Sequence, residues 1–139
     1  MESDEIFDLR AMLESYGARR ATARASNEQI AGLRQLAELQ HHESVERKTG
    51  HLERIGELNS QFHRRMQEAA ASPRLVRALT GLIEAPLMMR TFQKYTPEDL
   101  QRSALHHLEI VSALEARDAE WAASVMFSHV HAARGALNR

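Results

Sequence analysis

The sequence predicts an all-α fold, one antiparallel bundle of about six helices that takes up residues 1–139 as a single domain. Three observations carry that expectation. Apolar residues recur at three- and four-residue spacing almost throughout, and nothing reads as alternating strand. Glycines number only 6 and prolines 3, too few for a loop-rich chain. Two of the prolines fall where helices start: Ser72-Pro73 and Thr96-Pro97-Glu98-Asp99 each place a capping hydroxyl before proline at the first helical position.

The elements follow in order. A first helix runs from about Asp4 to Ala25, with Ile6, Leu9, Leu13 and Tyr16 toward the core. Asn27 caps a second, which carries Ile30, Leu33 and Leu36 inward toward His41 and beyond. Gly50 marks the break before a third, about His51 to Ala71. The fourth opens at Ser72-Pro73 and meets Pro86, where the missing N–H and the ring clash kink or split it. The fifth spans Pro97 to about Arg117, and Asp118 caps the sixth, which ends near Leu137. Short connections make neighbouring helices antiparallel. No internal repeat or low-complexity tract interrupts the pattern.

Bulk composition excludes several functions. With 18 basic and 19 acidic residues, the chain has no basic footprint for nucleic acid and no draw to an anionic membrane. No apolar run approaches the roughly 20 residues of a membrane span. The acidic MESDEIFDL start lacks the charge and apolar pattern of a secretory signal. The absence of cysteine excludes disulfides and thiolate metal sites and agrees with a cytoplasmic protein.

Eight histidines are the oddity, and helical phase sorts them. The inward stripe of the third helix reads Leu52, Ile55, Asn59, Phe62, Met66, with His63 beside it, one turn on from Asn59. The fifth reads Leu100, Ala104, His107, Val111, Leu114, and the sixth Ala122, Met126, His129, Ala133, Ala136. His106, His131, His41, His42 and His51 fall on polar faces or near helix ends and are expected in solvent. A lone inward histidine is ordinarily a core residue with a private hydrogen-bond partner. Three of them on three helices, plus an asparagine, need more partners than the stripes offer. One shared cation would satisfy them together, because neutral imidazole is the commonest protein metal ligand. Other motifs fail: HHESVE lacks the second histidine of a zinc-protease helix, and Glu38-Leu39-Gln40-His41 is the sole Glu-x-x-His where a di-iron bundle needs two.

DLRAMLES near the start, NSQFHRRMQEAAASPRL in the middle and HLEIVSALEARDAEWAASVMFSH toward the end, in that order, resemble the FCD domain. This is the C-terminal effector-binding and dimerisation domain of GntR-type bacterial transcription regulators of the FadR subgroup. The resemblance covers about Ile6 to Leu137. It implies a bundle of six or seven helices around a central cavity for a ligand and a divalent metal. Carried across residue by residue, the metal ligands are Asn59, His63, His107 and His129. It further implies a small organic acid as effector, a homodimer, and DNA contact only through an N-terminal winged helix-turn-helix domain that this chain lacks. Arg10 matches an arginine that lines the family cavity; an ion pair with Glu14, one turn away on the surface, is its plainer reading. Arg90 in MMRTF and Arg102 in QRSALHH are further candidates for anion contact.

Many family members carry aspartate where Asn59 stands. The neutral amide is a poorer ligand but leaves the ion its full charge for an anion. Three imidazoles suit zinc or nickel better than magnesium or calcium. The expected role is a sensor rather than an enzyme. A metal-dependent hydrolase or lyase is the alternative, but the inward stripes of the third, fifth and sixth helices offer no carboxylate for a general base. A purely structural dimerisation bundle is the third reading.

Overall fold

The computed structural model describes residues 2–82 and 91–138, with side chains from residue 4 onward. Its long helices are α1 (Glu2–Arg24), α2 (Asn27–Glu46), α3 (His51–Ala70), α5 (Pro97–Glu115) and α6 (Ala119–Leu137), with a short α4 (Pro73–Thr80) between α3 and α5. A helical turn at 91–93 precedes α5, and no strand occurs among the described residues. The expected kink at Pro86 lies outside the described residues.

Cap chemistry sets most boundaries. Ser72, Thr96 and Asp118 each accept a backbone N–H from the first turn of their helix, and Asp99 returns the bond to complete a capping box at Thr96. The second helix departs from expectation. Ser26, not Asn27, is its cap, forming a reciprocal box with Gln29.

The long helices close into a ring. α1 packs against α6 and α3, α2 lies between α3 and α5, and α5 returns to α6. Ridges must approach closely where α4 leans on α1: a Cβ on Gly17 would stand 2.9 Å from Leu75 Cδ2. The main core fills one end of the ring with Leu33, Phe62, Met66, Ile110, Leu114 and Met126, backed by Ala18 and Ala21 of α1 and by Ala25 just past its end. A smaller cluster, Phe7, Ala11 and Val130, fills the other end. Between these two apolar plugs the ring carries polar side chains.

The inner face of α1 is not the one its large apolar residues suggest. Leu9 and Tyr16 are exposed, Ile6 and Leu13 only partly covered, and the buried positions are Phe7, Arg10, Ala11, Glu14, Gly17, Ala18, Ala21 and Thr22. Small alanines let α1 lie close to its neighbours, and the Arg10–Glu14 pair occupies the middle turn. Leu52 at the start of α3 is likewise exposed rather than inward.

Candidate metal centre

Each of the five long helices sends a side chain to the middle of the ring. α1 contributes Arg10 and Glu14, α2 Gln40, α3 Asn59 and His63, α5 His107 and α6 His129. One nitrogen from each of His63, His107 and His129 lies within 4.8 Å of the others. His107 Nε2 and His129 Nε2 are 3.2 Å apart. Two nitrogens bonded to one tetrahedral ion at about 2.0–2.1 Å would stand roughly 3.3 Å from each other, so this pair already has the spacing of two ligands. Asn59 is buried and, with Arg10, His63 and His129, borders a void of about 20 Å³. That is room for a single water or ion, for which about 10–15 Å³ suffices. The donor set therefore fits a divalent metal.

The surroundings keep the rings in the form a metal needs. Burial pushes the pKa of both His107 and His129 well below the ordinary histidine value, and the neighbouring imidazoles push the same way. Both are neutral at pH 7, with one lone pair each. The His107 ring also stacks on Phe62, centroids 4.0 Å apart.

The Arg10–Glu14 ion pair forms at 2.8 Å, but with side-chain exposures of 5% and 4% it is a buried pair and not a surface one. Glu14 also meets His63, Oε1 to Nδ1 at 2.9 Å. Burial alone would raise the Glu14 pKa; Arg10 and His63 outweigh it and hold the carboxyl far below the usual range. The carboxylate missing from the inward stripes of α3, α5 and α6 thus comes from α1. Held ionised by two partners, it accepts hydrogen bonds and is a poor general base.

Two further residues at the centre escaped the helical sorting. Gln40 is fully buried and lies 2.8 Å from His107 Nδ1 through Oε1. Its signal was its place one turn beyond Leu36 on the α2 stripe. His106, expected in solvent, is half-buried, its Nδ1 3.2 Å from His129 Nδ1. The α6 neighbour that covers it has no trace in the α5 pattern. Arg102 donates to Asp99 at 2.8 Å with 47% of its side chain exposed, and does not line the main cavity. Arg90 lies outside the described residues.

That cavity, about 780 Å³, opens beside the histidines. Arg10, Glu14, Asn59 and His63 line it, Leu52, Gly56 and Phe92 add apolar wall, and Arg64 and Gln67 add polar groups. An anion entering here would meet the buried Arg10 guanidinium and His63, with the Glu14 and Glu53 carboxylates also in the wall.

The FCD domain family matches residues 5–132, nearly the whole length. The chain belongs to the FCD domain family. Its match ties the bundle to the regulatory domains of GntR-type transcription regulators. Among solved structures, E. coli McbR/YncC has the same fold at a TM-score of 0.83 and 20% identity, over 97% of this chain. This FCD chain spans 63% of the length of that protein. No curated protein matches the sequence.

Proposed function

We propose that this FCD domain is the ligand-sensing and dimerisation part of a cytoplasmic GntR-type regulator, holding a divalent metal on Asn59, His63, His107 and His129 and binding a small organic acid beside it. The observation that carries the reading is the meeting of three neutral or partly buried imidazoles, from three helices, within 4.8 Å of one another. Zinc or nickel suits that donor set best. When bound, the ion supplies a positive centre that attracts a carboxylate. Arg10 supplies a second, from α1, at the same end of the cavity.

The protein's own groups do the rest. His107 and His129 stay unprotonated because burial disfavours the cation, so their lone pairs remain available. Asn59 adds an amide oxygen without adding negative charge, so the pocket repels an acid less than an aspartate would. Arg10 is the group an acid recruits, and it is ion-paired with Glu14 on the same helix. Drawing Arg10 toward a ligand therefore acts on α1 as a body. The outer face of α1 is the site we assign to the second copy in a homodimer, so a displacement of α1 changes the relative placement of two attached DNA-reading domains. Direct contact with DNA belongs to those domains, in keeping with the near-neutral charge of this chain.

The test pairs metal analysis with ligand screening. Chelator-free protein should carry about one first-row metal per chain, and the His107→Ala/His129→Ala variant should carry none. A panel of mono-, di- and tricarboxylates should raise the wild-type melting temperature and leave the variant unmoved. Equal shifts in both proteins would defeat the metal-centred reading.

A further inference from the structure

Glu14 and Gln40 are not themselves metal-ligand candidates, yet each grips one of the clustered histidines from across the bundle. Ionised Glu14 has no proton to give, so at 2.9 Å the Nδ1–H of His63 donates and Oε1 accepts. In a neutral His63 the lone pair is thereby left on Nε2. Gln40 is the less expected case. It continues the Leu33, Leu36, Ala37 stripe of α2 and is fully buried. Its Oε1 lies 2.8 Å from His107 Nδ1, while its Nε2 has no partner among the described residues. A leucine would fill this place without stranding a donor, so packing does not explain the amide.

Ring stacking does not remove the need for it. Phe62 fixes the plane of the His107 ring, the two lying 6° from parallel. A ring stacked face to face can still turn over by half a turn about its Cβ–Cγ bond and return to the same plane, with Cδ2 and Cε1 where Nδ1 and Nε2 stood. A hydrogen bond at Nδ1 selects one of those arrangements, the one that leaves Nε2 at 3.2 Å from Nε2 of His129.

We propose that Glu14 and Gln40 are positioning residues of the metal centre, each accepting the Nδ1–H of its histidine so that Nε2 of His63 and of His107 is turned to the common point. The proposal rests on the metal-centre reading above. Partners of this kind fix tautomer and orientation, and their loss typically weakens metal binding 10–100-fold.

The experiment uses the full chain and nickel ion alone. Calorimetric titration gives the affinity, and long-range ¹⁵N–¹H spectra of metal-free protein give the histidine tautomers. Wild type should show His63 and His107 protonated at Nδ1. Gln40→Met, close in shape but without the acceptor, should bind nickel 10–100-fold more weakly and lose the single His107 tautomer. Gln40→Glu, which restores an acceptor oxygen, should recover both. For Glu14, the Arg10→Met/Glu14→Met pair removes the acceptor without stranding a buried cation, and should free the His63 tautomer. Unchanged nickel affinity in Gln40→Met, or a wild-type His107 protonated at Nε2, overturns the proposal alone. Failure of wild type to bind nickel overturns the metal-centre reading and this proposal with it.

Discussion

The rings of Phe62 and His107 lie face to face, centroids 4.0 Å apart and 6° from parallel, both without solvent exposure. The contact joins the main apolar core to the histidine cluster, because Phe62 also packs among the core residues of α1, α2, α5 and α6. Phe62→Leu keeps an apolar side chain of smaller volume and removes the flat plate. The expected cost is about 1–2 kcal/mol in urea unfolding, since shape-changing core swaps run at that level. The freed His107 ring should also lower nickel affinity severalfold. A variant equal to wild type in both measurements would make the stacking incidental.

Acid should destabilise the metal-free protein in a defined window. His107 and His129 have folded pKa values below the unfolded value of about 6.5, chiefly because burial disfavours the imidazolium and next because cationic neighbours repel it. Below that pH the unfolded chain binds protons that the folded chain refuses, so stability is complete above pH 6.5 and is lost as the pH falls beneath it. The slope is at most about 1.4 kcal/mol per pH unit for each histidine. Urea titrations in chelator should therefore lose about 2–4 kcal/mol between pH 7 and pH 5. Nickel should deepen the loss, because protons then compete with the ion. The His107→Ala/His129→Ala variant should be nearly flat over the same range. A flat wild-type profile contradicts neutral, buried imidazoles.

The histidine cluster was legible in the sequence because its members interrupt apolar stripes whose period is unambiguous. Asn59, His107 and His129 each take a place that leucine or alanine would otherwise fill, and geometry did not have to be guessed to see it. The inner face of α1 was not legible for the opposite reason. Its buried side is built of Ala11, Ala18 and Ala21 with a buried ion pair, while the large apolar groups Leu9, Met12 and Tyr16 look outward. A reading that weights hydrophobic size turns such a helix around. Gln40 and Glu14 were invisible as site residues because their type is ordinarily solvated, and only the neighbours across the bundle reveal what they touch. His106 needed the position of His129 to be seen as covered.

Among the described residues three that are not glycine adopt the left-handed conformation, Arg47, Ala71 and Arg117, and two of them should answer glycine substitution in opposite directions. Ala71, at φ 53°, ends α3 and uses only its backbone there. Relief of the left-handed penalty, about 1 kcal/mol, should let Ala71→Gly raise the melting temperature by roughly 2–4 °C. Arg117, at φ 55°, instead donates to the carbonyls of Thr22 and Ala25 and ties the end of α1 to the α5–α6 turn. Arg117→Gly should lower the melting temperature, since the strain relieved is outweighed by two charge-assisted bonds to carbonyls. Calorimetry on both variants checks the pair of signs.

The outward face of α1 leads to the last prediction. Leu9, Met12 and Tyr16 form one stripe, exposed by 39%, 63% and 49%, and Val76 of the adjoining α4 is exposed as well. A monomer gains nothing by presenting these groups to water. The charges of the helix are divided along its length, with Asp4, Glu5 and Asp8 before the stripe and Arg19, Arg20 and Arg24 after it. Two copies laid antiparallel about the Met12–Tyr16 turn would bury the stripe against itself and set ends of opposite charge near one another, Asp8 and Arg19 keeping Arg134 and Glu120 of their own chain, the self-complementary arrangement a two-fold dimer needs. Sedimentation equilibrium at tens of micromolar should therefore find a dimer. Met12→Asp, which sets a charge at the centre of the stripe on a side chain 63% exposed, should give a monomer of unchanged helix content. It should also still bind nickel, because the histidines lie on the opposite side of α1. A wild-type chain that stays monomeric at these concentrations would remove this face as the route by which a ligand at Arg10 reaches the second copy.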